Sequence, residues 1–244
     1  MMMFERSLNH WGVGRVVLFN WPKYVAAIAL LALGVVAASY SNGTVRLTLM
    51  LVCTLIVYGF TASLVATWWV YDHRAQRLYQ SIANQRHDTA PWLLVHAGFD
   101  ESHGRLQALL GPPAHQFDIG PSRDRSRSLR RAHALCGRDG VPVTGPLPVG
   151  DSSIGLVVVL FGIHELHSDS DAIALLREVN RVTVGGGAVV IVEHLIDVAN
   201  IVAYGPAAWH FSSGGRWRHA VAAAGMFLKS STRVGGLVTV MVAR

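Results

Sequence analysis

The feature that most limits what this chain can become is a pair of long apolar spans near its start. From Trp21 to Tyr40 it reads WPKYVAAIALLALGVVAASY, with no charge after Lys23, and from Leu47 to Val70 it reads LTLMLVCTLIVYGFTASLVATWWV, with no charge at all. A helix needs about 20 apolar residues to cross a hydrocarbon core of roughly 30 Å, and tryptophan and tyrosine prefer the interfaces at its ends. Both spans have that length, and Trp21, Tyr40, Trp68, Trp69 and Tyr71 stand at their ends. Residues 21–70 are therefore expected to form two transmembrane helices in the lipid bilayer. Only Tyr40-Ser41-Asn42-Gly43-Thr44-Val45-Arg46 joins them, and its Asn-Gly step favours a turn, so the helices run antiparallel.

Orientation follows from the basic residues. Arg6, Arg15 and Lys23 precede or open the first span, Arg74, Arg77 and Arg86 follow the second, and Arg46 alone lies in the turn. Basic flanks stay on the cytoplasmic side, which predicts that both termini and the domain after the spans are cytoplasmic. A cleaved signal peptide fits poorly, because residues 1–20 precede the first apolar span as an N-terminal cytoplasmic segment. The whole chain is 51% hydrophobic and 15% charged with a net charge of +6, and that excess is scattered beside the spans and in one loop. No face is basic enough to make nucleic acid an expected partner. Cys53 and Cys136 have no spacing suited to zinc or to a disulfide framework and read as incidental thiols.

After residues 71–90, a polar juxtamembrane helix or linker, the pattern changes. Residues 91–244 alternate short apolar runs with helical periodicity. WLLVHAGF (Trp92–Phe99) reads as a strand and ESHGRLQALLG as a helix stopped at Gly111, while HQFDIG is a second strand ending near Asp118. A basic segment, PSRDRSRSLRRAHALCG, is expected to be helical in its later half. The β-branched run within IGLVVVLFGIHEL suits a central strand buried on both faces. SDSDAIALLREVNRVTVGGG begins with Ser168, Asp169 and Asp171 as cap candidates and stops at Gly185–Gly187, and GAVVIVEHL is a further buried strand. NIVAYGPAAWHFSS reads as a loop, RWRHAVAAAG as a helix, and FLKSSTRVGGLVTVMVAR as two strands joined at Gly235-Gly236. The expected fold is α/β: a Rossmann-like, doubly wound, mostly parallel sheet with an antiparallel C-terminal strand, preceded by a transmembrane hairpin.

Three segments carry a family resemblance. LPVGDSSIGLVVVLFGIHEL, REVNRVTVGGGAVVIVEHL and the closing VTVMVAR resemble the fourth-strand segment, the helix and fifth strand, and the last strand of class I S-adenosylmethionine-dependent methyltransferases of the type 11 kind. The resemblance covers about residues 92–244. It implies S-adenosylmethionine as cofactor and methyl transfer as the reaction, and the hairpin anchor makes a membrane-resident, apolar or lipid-like small molecule the expected acceptor. The chain departs from the pattern at its first motif, where Val95-His96-Ala97-Gly98-Phe99-Asp100-Glu101 has one glycine, and at Gly155 and Val184, where the family has Asp and Pro.

The resemblance assigns His96, Ala97 and Gly98 to the turn under the methionine part, Asp118 to the ribose hydroxyls, Leu147 to Asp151 to the adenine side, and Phe161 and Gly162 to the methyl-transfer region. Two acid–histidine pairs, His164-Glu165 and Glu193-His194, end neighbouring strands and are expected to converge on one pocket, with His164 and His194 as catalytic candidates. His164, His167, His194 and His210 invite a metal-site reading, but their spacing fits no metal motif, His164-Glu165-Leu166-His167 being too short for H-E-x-x-H, and no metal is expected. The apolar loop with Tyr204, Pro206, Trp209 and Phe211 points to an apolar acceptor. A catalytically silent ligand- or partner-binding module is the alternative. A nicotinamide-dependent oxidoreductase fits less well, for want of G-x-G-x-x-G after the first strand.

Overall fold

The computed structural model describes residues 12–86, 89–97, 103–119, 127–136, 140–143 and 145–244. Helix α1 (Gly12–Ser39) continues through Pro22, and α2 (Gly43–Trp68) returns beside it after a turn in which Gly43 takes a φ of +58°. The two helices come so close that a Cβ on Gly34 would stand 2.6 Å from Cys53 Sγ. In α2, Thr48, Thr54 and Thr67 each donate to a carbonyl one turn back. Both helices are long and apolar enough to cross a membrane, and their most apolar windows are only 11% and 6% buried.

Helix α1 begins earlier than the apolar span because a carboxylate holds its first turn. The Gly12 and Val13 N–H groups donate to the two oxygens of Asp72 at 2.9 and 3.0 Å. This satisfies two orphan donors and sets negative charge at the positive end of the helix. Asp72 belongs to a π-helical turn (Trp69–His73) that follows α2, and Gly12 has no side chain to collide there, since its Cβ would lie 2.4 Å from that of Tyr71.

The stretch expected as a juxtamembrane helix or linker contains helix α3 (Ala75–Ala83), which packs on the sheet. Its Ala75, Leu78, Tyr79 and Ile82 are buried. Beyond it come β1 (Trp92–His96), α4 (His103–Leu110), β2 (His115–Asp118), α5 (Arg127–Cys136), β3 (Val141–Pro142) and β4 (Ile154–Leu160). They are followed by α6 (Asp169–Val182), β5 (Thr183–His194), α7 (Val198–Tyr204), α8 (Gly214–Ala223), β6 (Leu228–Val234) and β7 (Val238–Ala243). The segment read as a loop after β5 is ordered as α7 and a 3-10 run (Gly205–His210). Asp197 starts α7 by accepting the Asn200 N–H at 2.9 Å.

The sheet has seven strands in the order β3-β2-β1-β4-β5-β7-β6, with β7 antiparallel to β5 and β6, and the pairs from β3 to β5 parallel. The strands alternate side chains between two cores. Leu93, Val95, Val157, Val159, Val189 and Ile191 meet α6 and α8 on one face, while Leu94, Leu156, Val158, Val190 and Val192 meet α3 on the other. That double burial explains why the central strands are continuous apolar runs. Leu78→Ala should cost about 2–5 kcal/mol in chemical denaturation by leaving a cavity under α3, whereas Arg77→Ala on the exposed side should stay within about 0.5 kcal/mol. Equal effects from the two would show that α3 is not docked on the sheet.

Candidate active site

In a doubly wound sheet the strand ends that carry ligands are the carboxyl ends. Here the carboxyl ends of β1, β4 and β5 open onto a cavity of about 650 Å³ that Ala97, Phe161, His164, Glu165 and His194 line from the sheet side. Ser128 and Leu129 of α5 line one flank, and the 204–211 segment another. The remaining wall is the helical hairpin, through Val16, Asn20, Lys23 and Tyr24 of α1 and Leu55, Ile56, Phe60 and Thr67 of α2.

The polar centre of the cavity is built on Glu193, which is fully buried near the end of β5. Its Oε1 accepts the Ile163 and His164 N–H groups at 2.9 and 3.3 Å, and its Oε2 lies 2.7 Å from His164 Nδ1. A carboxylate accepts only, so His164 carries its proton on Nδ1 and leaves Nε2 toward the cavity. Burial alone would lower the His164 pKa, but the Glu193 charge and hydrogen bond, with Glu165 adding to them, hold it above the ordinary value. Glu165 is 8% exposed, and His210 approaches its Oε1 through Nε2 at 3.4 Å. The two acid–histidine pairs thus meet, crosswise: Glu193 serves His164 and not its neighbour His194.

His194 is held differently. Its Nδ1 lies 3.1 Å from the Leu237 carbonyl, an obligate acceptor, so Nδ1 donates and Nε2 accepts the Tyr71 hydroxyl at 3.0 Å. Phe161 and Phe211 stack on the ring with centroids 5.4 and 5.0 Å away. Burial pushes its pKa down to about 4, against the opposing pull of Glu193. A ring that stays neutral and already has both nitrogens engaged orients Tyr71. It is poorly placed to take a proton from a substrate.

The other expected site residues separate into two groups. Ala97 and Phe161 line the cavity, Phe161 with a φ of +46° at the sharp exit from β4. Asp118 ends β2 fully buried, its Oδ2 3.1 Å from His133 Nε2 on α5. His96 is buried one strand over, accepting from Gln116 Nε2 at 3.0 Å, and Gly162 is needed for packing, since a Cβ there would stand 2.9 Å from the Ala97 nitrogen. Gly98 lies outside the described residues. Leu147 and Asp151, expected on the adenine side, sit instead at the amino end of β4. Arg181 at the end of α6 donates to the Leu147 carbonyl at 2.9 Å and pairs with Asp151, and its hydrogen bond to Glu178 holds that carboxyl below its usual range. The Leu-Pro turn that resembled a cofactor wall is therefore a structural knot at the opposite edge of the sheet.

The sequence pattern did not reveal Tyr71, which reads as an interfacial anchor, or the approach of His210 to Glu165. Nothing local indicates that the π-helical turn swings Tyr71 back under β5.

No family model matches the chain, and no curated protein matches it. Among solved structures the fold is similar to that of an S-adenosylmethionine-dependent methyltransferase from Aquifex aeolicus, with a TM-score of 0.51 and 16% identity over 72% of this chain and 90% of that one. The PH0226 protein from Pyrococcus horikoshii is similar at a TM-score of 0.49 and 14% identity, over 71% of this chain and 90% of that one. The fold is the Rossmann-like, class I methyltransferase fold.

An unfolded histidine titrates near 6.5 and His194 in the fold near 4, so its stabilising contribution is complete above about pH 6.5 and is lost as the pH falls toward 4. The loss integrates to roughly 3 kcal/mol. Melting of wild type and His194→Gln between those pH values should show the steeper decline in wild type, and parallel curves would remove His194 as the cause.

Proposed function

We propose that this chain is a membrane-anchored S-adenosylmethionine-dependent methyltransferase whose acceptor is an apolar, lipid-like small molecule bearing a hydroxyl group. One observation carries the reading: a single cavity has the carboxyl ends of β1, β4 and β5 as its floor and two membrane-length apolar helices as its wall. The residues present suit the cofactor. A fully buried carboxylate, Asp118, ends β2 behind the cavity wall, where ribose hydroxyls need an acceptor, and the cavity reaches Ala97 after the neighbouring β1 and Phe161 after β4. Asp118 faces His133 in this structure, so cofactor hydroxyls would replace that imidazole as its partner. When bound, the cofactor supplies an electrophilic methyl group on a sulfonium.

The chain's own residues do the rest. Leu55, Ile56, Phe60 and Tyr24 offer an apolar surface to the body of the acceptor, which leaves its hydroxyl at the polar floor. His164 Nε2 takes the hydroxyl proton, and Glu193 holds the ring by Nδ1 and balances the charge that results. Tyr71, fixed by His194, lies against Phe161 and closes that side of the cavity. Positioning supplies much of such a rate enhancement, and here a floor held by hydrogen bonds lies beneath a substrate guided by apolar walls.

Anchoring rests on the exposure of the hairpin. Its outer surface presents Trp21, Val25, Ile28, Leu33, Leu47 and Leu51 to the surroundings, a run of exposed apolar side chains of the kind that marks contact with lipid or a partner. The basic flanks favour a cytoplasmic position for both termini and the domain. A cysteine introduced at Asn42, with Cys53 and Cys136 replaced, should react with an impermeant reagent from outside intact cells. Labelling only after lysis would invert the orientation.

Calorimetric titration of the detergent-solubilised full chain should show S-adenosylmethionine and S-adenosylhomocysteine binding, weakened about tenfold or more by Asp118→Ala, as expected for loss of hydrogen bonds to a charged group. Methyl incorporation into lipid extracts should fall roughly 10²- to 10⁴-fold in His164→Ala. No cofactor binding would leave a silent module, and binding without transfer into any lipid fraction would reject the acceptor class.

A further inference from the structure

The floor of the cavity contains more ligating atoms than proton transfer requires. His164 Nε2 lies 4.0 Å from Glu165 Oε1, and His210 Nε2 lies 3.4 Å from the same oxygen. One ligand atom from each of the three residues falls within 4.8 Å of the others. Two imidazoles and a carboxylate are the donor set that zinc-class ions take in sites that keep a fourth position open. Around such an ion, bonds of about 2.0–2.2 Å hold tetrahedral donors roughly 3.3 Å apart. The His210–Glu165 separation is already near that value, and the other distances need a modest inward rotation of side chains.

The second shell points the same way. A metal-binding histidine characteristically gives its other ring N–H to a carboxylate, which fixes its tautomer and makes it a better ligand. His164 does this to Glu193, which is fully buried and fixed in turn by the Ile163 and His164 N–H groups. Glu165 is buried at the base of the same cluster. His210 is about one-third exposed, at the side of the cavity that the 204–211 segment forms, and it closes the set from the opposite direction.

We propose that His164, Glu165 and His210 bind one divalent ion of the zinc class, with Glu193 as the supporting carboxylate and an open coordination position facing the cavity. The sequence disguises this site because its ligands come from one 3-10 turn (Ile163–Glu165) and from a second 3-10 run ending at His210, outside any helical H-E-x-x-H spacing. The site itself stands on side-chain geometry. Its consequence rests on the methyl-transfer reading and replaces the proton acceptor in it: with the ion bound, His164 Nε2 is a ligand and no longer takes the proton, the acceptor hydroxyl is acidified by coordination at the open position, and its proton leaves to water.

The test uses tag-free, full-length protein in detergent, stripped with a chelator and titrated with zinc(II) alone and, separately, cobalt(II) alone, without cofactor. One equivalent of zinc should be retained, and cobalt should give the visible bands of a low-coordinate N/O site. Glu165→Gln and His210→Ala should each weaken zinc binding by at least about 100-fold, and Glu193→Gln by about 10- to 100-fold. Asp169→Ala, outside the cluster, should leave it unchanged. Should Glu165→Gln fail to fold, the partly exposed His210 gives the same readout. No retained zinc, or retention indifferent to His210→Ala, overturns the site. Cofactor binding is measured on the same stripped protein, so a failed metal site and a failed methyltransferase reading give different results.

Discussion

A carboxylate with no access to water must be met by donors, and the way Glu193 is met organises the carboxyl edge of this sheet. Its two oxygens receive the Ile163 and His164 N–H groups and the His164 ring. Breaking such a set leaves a buried charge uncompensated, which is commonly worth several kcal/mol. The exit from β4 is thereby tied to β5, and its 3-10 turn is held in place. One consequence is that His164 has a single available tautomer and a single nitrogen facing the cavity. Another is that the neighbouring His194, excluded from that carboxylate, is left to the Leu237 carbonyl and Tyr71.

The hairpin is joined to this edge through equally local chemistry. Asp72 receives the first N–H groups of α1, and Tyr71 beside it reaches His194. Two consecutive residues in one π-helical turn therefore fix the open end of the hairpin to the sheet from which the site is built. Trp69 adds a hydrogen bond from its indole N–H to the Gly235 carbonyl at 2.9 Å, tying the same turn to the connection between β6 and β7. The hairpin is consequently one wall of the cavity and more than a tether.

How much of this could be read from the chain depends on how local the cause is. The hairpin and the central strands follow from continuous apolar runs, and the antiparallel end of the sheet follows from two strands separated by Gly235-Gly236, so these elements were legible. The crosswise pairing of Glu193 with His164 was only half visible: two acid–histidine pairs at neighbouring strand ends suggested convergence, but the partner of each depends on strand register and on the turn after Leu160. Leu147 and Asp151 were misplaced because a motif records proximity along the chain, while Arg181 decides where that turn lies. The burial of α3 was hidden by its polar composition, whose apolar face emerges only once the sheet is present to receive it. Tyr71 and His210 reach the site from distant segments, which no periodicity reports.

The same geometry constrains how an acceptor would arrive. Tyr58 donates to the Val202 carbonyl at 3.4 Å, and it lies ten residues before Trp68, about 15 Å along α2 toward the hairpin turn at 1.5 Å per residue. If Trp68 and Trp69 mark an interface, α7 then runs beside the helix below that plane. Its exposed side carries Val198, Ile201 and Val202, with Trp209 exposed just beyond it, a composition suited to acyl chains and poorly suited to water. On the proposed function, a flank of the α/β domain would be embedded along with the hairpin, and the cavity, bounded by α2 and the 204–211 segment, would have its apolar wall at the depth of the lipid. An acceptor could then bring its hydroxyl to His164 without its apolar body crossing water, avoiding a desolvation cost of about 0.8 kcal/mol per methylene. That saving grows with chain length, which favours long apolar acceptors over short ones carrying the same hydroxyl group.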